Sequence, residues 1–290
     1  MTIQQLLLDP LQPEFMQRAL MAVIMIGAIS GVVGAYVVTR GMAFLGDALA
    51  HSVLPGVAIA FLTSGNSGQS LLVGGLAAGI VSALGVGFLT RGERLAQDTA
   101  IGIVFSGMLA LGIGIISTNQ NFAVDLSHVL IGNILAVSRD DLATIALIAA
   151  LILGIIIVFY KEFLVASFDP TLVQTLRLPG ETLRLVLLVL LAVTIVISLQ
   201  VVGVALVAAM LVTPAATARF FTRKLHHMML VGALVGAISG IVGVYISWHL
   251  RVAPSAAIVL TMTAVFLLAF FFAPGKGYVW SLMGRSARTA

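Results

Sequence analysis

Nine stretches of this chain are apolar over lengths that match the thickness of a lipid bilayer. They lie near residues 16–38, 42–64, 69–90, 99–117, 142–160, 183–199, 201–220, 228–247 and 254–273, and each approaches the roughly 20 residues that a spanning helix needs. Within such a run a helix satisfies every backbone donor and acceptor without water. The fold class that follows is an all-α integral membrane protein, a polytopic bundle of eight to nine transmembrane helices, with residues 1–290 read as a single transmembrane domain. Composition serves to exclude the alternative: 60% of the 290 residues are hydrophobic and 9% are charged, whereas a soluble domain carries about 25% charged residues. A soluble enzyme held by one anchor is ruled out.

The sidedness of the spans is read from Lys and Arg, which collect on cytoplasmic loops. Basic residues mark the segment ends at Arg40, at Arg91 and Arg94, at Arg219, Arg223 and Lys224, and at Lys276, while the links 65–68 and 118–123 carry no charge. The N-terminus is then expected outside and the C-terminus in the cytoplasm. Alternation holds only if residues 125–138, DLSHVLIGNILAVS, are a re-entrant or interfacial helix rather than a crossing, with Arg139, Asp140 and Asp141 external. The formal charge of +4 reflects these retained loops and is no argument for nucleic acid. There is no cysteine, which excludes disulfides, thiolate metal sites and a cysteine nucleophile. The first twenty residues lack the basic start and the cleavage site of a signal peptide.

Many of the 29 glycines recur at small-residue spacing inside the spans, as at Gly232, Gly236 and Gly240. Lipid gives helices no hydrophobic reason to associate, so close packing through small residues takes that role, and these glycines read as packing. The longest hydrophilic interruption is 160–181, YKEFLVASFDPTLVQTLRLPGE. Asp169 before Pro170 is a helix-start signal, and Pro179-Gly180 is a stop. The stretch is read as one short helix of about two turns lying on the cytoplasmic surface, with a plain connecting loop as the alternative.

Most charges stand at segment ends. Asp47 and His51 do not: seven and eleven residues beyond Arg40, they reach roughly 10 to 16 Å into a core about 30 Å thick. Their i, i+4 spacing puts them on one helical face, beside Gly46, Pro55 and Gly56, which interrupt the regular helix. An intramembrane carboxylate costs at least about 2.5 to 3.5 kcal/mol on insertion scales, so it faces a partner or a wet cavity. The plain reading is a pair that joins helices. Placement beside a Pro/Gly break favours function, because broken helices line the substrate sites of transporters. Carboxylate with imidazole suits divalent manganese, iron or zinc, yet two side chains do not enclose an ion that wants about four ligands. A two-fold homodimer with this face on its axis would supply them.

Other candidates are weaker. His226 and His227 adjoin Arg223 and Lys224, His249 adjoins Arg251, and His128 falls in the re-entrant piece, where it lines the outer entrance. Met21, Met25 and Met210 read as packing or lipid-facing residues. No G-x-x-x-x-G-K-[ST] motif is present, and Gly-Lys-Gly at 275–277 lacks the loop and hydroxyl that cradle phosphate. The chain is not expected to hydrolyse ATP itself.

The block RGMAFLGDALAHSVLPGVAIAFL at 40–62 resembles the most diagnostic segment of the membrane subunit of metal-type ABC importers, the manganese, zinc and iron permease family. VVGVALVAAMLVTPAATARFF at 201–221 and FDPTLVQTLRLP at 168–179 resemble its later segment and its ATPase-coupling stretch, and the likeness runs over about residues 10–275. The resemblance implies a multi-pass protein of the prokaryotic plasma (inner) membrane. It implies a homodimer docked to a separate cytoplasmic ATP-binding subunit and fed by an extracytoplasmic metal-binding protein, with no permanently bound cofactor. It makes Asp47 and His51 the metal ligands, and 161–181 the coupling segment, with Phe168, Asp169, Pro170 and Leu172 fitting a groove on the ATPase. The cargo is a divalent transition metal, manganese before zinc or iron. A proton-coupled secondary transporter using Asp47 and His51 as a relay is the rival, and a non-transporting scaffold the third reading.

Overall fold

The apolar runs are helices, and none of their ends moves by more than three residues from the sequence expectation. The computed structural model describes residues 9–65, 67–93, 95–118, 132, 134–274 and 277–278. Its helices are α1 (Glu14–Thr39), α2 (Ala43–Ser52), α3 (Leu54–Ser64), α4 (Gly68–Leu89), α5 (Gln97–Ser117), α6 (Arg139–Val158), α7 (Tyr160–Phe168), α8 (Pro170–Thr175), α9 (Gly180–Val202), α10 (Val204–Phe221), α11 (Leu225–Leu250) and α12 (Pro254–Phe272). Among the described residues eight spans are long and apolar enough to cross a membrane, counting Ala43–Ser64 as one, and the apolar part of α10, Leu206–Phe221, is a shorter ninth. The expected re-entrant piece falls largely outside the described residues, as does His128; what is described is residue 132 and 134–138, with a 3-10 turn at Ile134–Ala136.

The acids that open α6 have a local reason. The Asp141 amide donates to Ser138 Oγ at 3.1 Å while the Ser138 amide donates to Asp141 Oδ2 at 3.0 Å, a reciprocal pair of the capping-box kind. Asp140 adds negative charge to the same first turn, where the helix dipole favours it.

The chain forms two compact units, one of Met1–Val38, Ile134–Ile145 and Ala209–Ala290, the other of Thr39–Asn133 and Ala146–Ala208, and passes between them four times. In the first unit α1 and α11 meet backbone to backbone. A methyl on Gly27 would lie 2.7 Å from the Gly236 carbonyl carbon, and one on Gly236 2.6 Å from the Gly27 oxygen, so the small-residue spacing does serve packing here. In the second unit the same device closes α3 on α4. A methyl on Gly56 would lie 2.7 Å from the Ala78 methyl, and one on Gly74 2.7 Å from that of Ala60.

Two arginines fix relative sidedness within the second unit. Arg40, after α1, hydrogen-bonds to Ala166 and Ser167 near the end of α7. Arg184, in the first turns of α9, donates to Thr90 Oγ1 at 2.6 Å and to the Gly87 carbonyl at 2.8 Å at the end of α4. The ends of α1, α4 and α7 and the start of α9 thus lie on one side of the span.

Candidate metal site and coupling segment

The span of 43–64 is not one helix. Pro55 has no N–H for the His51 carbonyl four residues earlier, and its ring disfavours a continuous helix. The Val53 amide turns onto that carbonyl instead, α2 stops at Ser52, and α3 restarts with proline in its first turn, where a missing N–H costs nothing. Gly112 of α5 receives the break: a methyl there would lie 2.9 Å from Leu54 Cβ and 3.2 Å from the Pro55 nitrogen.

Asp47 and His51 stand in the last turns of α2. His51 Nε2 lies 3.9 Å from Asp47 Oδ1, with the side chains 32% and 47% exposed respectively. That is longer than a hydrogen bond, and two ligand bonds of about 2.1 Å each together span it. The spacing leaves room for an ion between the two groups. Phe105 of α5 sets its ring against that of His51, centroids 6.0 Å apart at 63°, and against Phe44 at 6.1 Å and 80°. The aromatic pair gives the imidazole an apolar wall on one side.

Two side chains are fewer than the roughly four ligands that such an ion wants. Among the described residues no group of three or more His, Asp or Glu gathers. His226 and His227 meet edge to face, centroids 4.1 Å apart at 63°, and His249 lines a cavity of about 520 Å³ with Trp248 and Arg251.

The stretch 160–181 holds more helix than the one of about two turns that its sequence announces. Residues 160–168 are themselves helical, and α8 is six residues long, ending well before Pro179-Gly180. Asp169 opens it: Oδ1 accepts from the Leu172 amide at 2.9 Å, the Thr171 amide at 3.1 Å and the Thr171 hydroxyl. The Thr171 hydroxyl first, and then the Leu172 amide, hold this carboxyl below its ordinary range. Closure follows a Schellman pattern. The Leu178 amide donates to the Val173 carbonyl and the Arg177 amide to that of Gln174, both at 3.0 Å, with Arg177 at φ 52 where glycine is usual. Pro170 opens α8 at its first position.

Phe168 and Leu172 are exposed, as expected, and so is Leu176. Leu172 and Leu176 stand four apart on α8 and its C-cap, beyond the break at Asp169 that separates them from Phe168 at the end of α7, while Val173 is buried toward Gly180, where a methyl would come within 2.8 Å of it. Leu176 escaped the sequence reading although its spacing from Leu172 was visible. Phe105 and the partners of Arg40 escaped it for want of any local signal.

The sequence profile of the ABC 3 transport family matches residues 12–273. A curated relative, the manganese transport system membrane protein MntC of Listeria innocua, is 44% identical over 271 residues, 93% of this chain and 95% of its own. A protein of Haemophilus influenzae named "Probable iron transport system membrane protein" is 40% identical over 266 residues, 92% of this chain and 96% of its own. Among solved structures, PsaBC from Streptococcus pneumoniae in complex with a Fab superposes with a TM-score of 0.83 at 36% identity, covering 97% of this chain and all of that one.

Proposed function

The chain belongs to the ABC 3 transport family, and from that membership we propose that it is the permease of an ATP-driven importer of divalent transition metal, manganese foremost, with Asp47 and His51 as its metal ligands. ATP hydrolysis belongs to a separate subunit, so this chain moves the ion and is not itself an enzyme. That assignment of the driving force removes the ground for a proton-coupled relay at Asp47 and His51. An ATPase subunit and a substrate-binding protein are the partners of such a permease.

The observation that carries the reading is the two-donor pair ending at a proline break. Two donors are too few for one ion, and a homodimer with α2 facing its own copy doubles them to two carboxylates and two imidazoles. That oxygen and nitrogen set, free of sulfur, accepts manganese, iron or zinc; intrinsic affinity favours zinc, so selection rests on geometry and delivery. Relatives named for manganese and one named for iron fit the same chemistry. The whole chain acts as one permease domain with the N-terminus outside and the C-terminus in the cytoplasm. The exposed stripe of Phe168, Leu172 and Leu176, with Asp169 and Pro170 starting α8, fits a groove on the ATPase.

Uptake of radiolabelled manganese against zinc in cells expressing the full transporter tests the site. Asp47→Ala and His51→Ala are expected to lower manganese uptake at least about 100-fold, since losing even an outer partner of a metal ligand costs about 10- to 100-fold. Normal uptake in both variants removes the site assignment, and a preference for zinc removes manganese.

A further inference from the structure

Arg40 stands three residues before α2 and seven before Asp47. Its guanidinium donates from Nε to Ser167 Oγ at 3.1 Å and from Nη2 to the Ala166 carbonyl at 3.1 Å. The Ser167 hydroxyl donates its own hydrogen bond to the Phe163 carbonyl at 2.6 Å, which leaves the serine oxygen's lone pairs to accept from Arg40. There is a reason for the second bond as well. The Ala166 carbonyl would ordinarily take the amide of residue 170, which is proline and has none. A helix end leaves such carbonyls unsatisfied and favours a cation beside them, and Arg40 supplies both the donor and the charge.

The consequence lies in what the two ends of this contact belong to. Ala166 and Ser167 are immediately followed by Phe168 and Asp169, the start of the proposed docking stripe. Arg40 is separated from α2 by Gly41, at φ 70, and by Met42, which is 2% exposed. The link between the docking stripe and the helix of Asp47 and His51 is therefore two side-chain hydrogen bonds and two residues of backbone. At its far end the same segment is held differently: Arg184 bonds to Thr90 and Gly87 at the end of α4 and to Glu181 at 3.1 Å.

We propose that Arg40 is a positioning residue that transmits displacement of the ATPase-coupling segment to the metal-binding helix, as a two-point strut between α7 and α2. The proposal rests on the reading of 168–176 as the ATPase-docking stripe. It separates Arg40 from Arg184: the first links docking to the metal helix, the second only anchors the segment.

The test uses the complete transporter, permease with its ATPase subunit and binding protein, in liposomes. Three quantities are read: co-purification of the ATPase, ATP hydrolysis, and manganese ions imported per ATP. Arg40→Gln is expected to keep co-purification, to hold hydrolysis within about twofold, and to lower manganese per ATP at least about tenfold, the scale of one charge-assisted hydrogen bond. Ser167→Ala, which leaves the Ala166 bond, is expected to lose about threefold, and Arg40→Gln with Ser167→Ala together no more than Arg40→Gln alone. Unchanged manganese per ATP in Arg40→Gln overturns the proposal. So does loss of co-purification and transport together in Arg40→Gln and Ser167→Ala alike, which marks a purely structural contact. Where Arg40→Gln fails to reach the membrane, Ser167→Ala and Arg40→Lys decide, and normal coupling in both overturns it. Leu172→Asp reports on the docking reading alone: an ATPase that still co-purifies with it defeats that reading, whereas its loss beside normal coupling in Arg40→Gln defeats only the strut.

Discussion

The breaks before Pro55 and before Pro170 come from one chemical cause and end in opposite surroundings. In each, a proline without an N–H frees the carbonyl four residues earlier, that of His51 in one and Ala166 in the other. At the first break the carbonyl is taken by the neighbouring Val53 amide, and α3 continues into packing closed by Gly56, Gly74 and Gly112. At the second, it is taken by an arginine from 126 residues away, and α8 continues into exposed apolar side chains with a charged cap. The break inside the span is thus held by shape, and the break outside it by charge and hydrogen bonds. The difference follows from solvent: lipid rewards close backbone approach, while charge is cheap only where water reaches.

The largest effect is expected where shape does the holding. Gly74→Leu puts a side chain where even a methyl would stand 2.7 Å from Ala60, and a loss on the order of 3 kcal/mol or more is expected. Thermal unfolding in detergent checks it; an unchanged transition would mean that the glycine seam is not what frames the break. Pro55→Ala probes the break itself. It restores the donor for the His51 carbonyl and lets α2 and α3 fuse, so stability is expected to hold or to rise by up to about 3 kcal/mol. Manganese uptake is expected to fall about tenfold as the ligand pair is re-aimed, a scale that misplacement by about 1 Å reaches. Full uptake in a protein of raised melting temperature would detach the break from function.

The second break responds to pH instead. Because the Asp169 carboxyl is held below its ordinary range, it contributes stability that is complete above about pH 4, the ordinary carboxylate value, and is lost as the pH falls through the lowered value. Hydrogen exchange at the Thr171 and Leu172 amides, compared with Asp169→Asn at each pH, reads this directly. Wild type should be the better protected at neutral pH and converge on the variant in acid, and equal protection throughout would deny the charge a role. The smallest effect belongs to Arg177→Gly. A non-glycine residue in the left-handed region costs roughly 1 kcal/mol, and removing that cost should tighten the end of α8 by up to that amount, seen as slower exchange at Leu178. Faster exchange would show that the Arg177 side chain, rather than the Schellman turn, closes the helix.

Much of this was legible in the sequence because its causes are local. Burial of an apolar run in lipid depends on the run alone, which is why the spans were placed to within three residues. Asp47 and His51 stand out because a charge in such a run has no local excuse, and Asp169-Pro170 because a cap acts over three residues. The helix at 160–168 was not foreseen because its polar residues marked only a hydrophilic interruption, while Phe163 is fully buried and anchors the face that polarity concealed. The extent of α8 was misread because its end depends on Arg177 taking a conformation that arginine rarely adopts.

What the sequence determined by itself is therefore the solvent, the spans, the break and the two ionisable residues beside it: each follows from a residue and its near neighbours. What only the tertiary structure decided is which distant groups meet. The fit of Gly112 against the break, the Phe105 ring against that of His51, and the bonds of Arg40 to Ala166 and Ser167 depend on how whole helices pack. Packing sums many small contacts over surfaces that no stretch of sequence contains, and it is packing that sets the start of α2 within two hydrogen bonds of the end of α7.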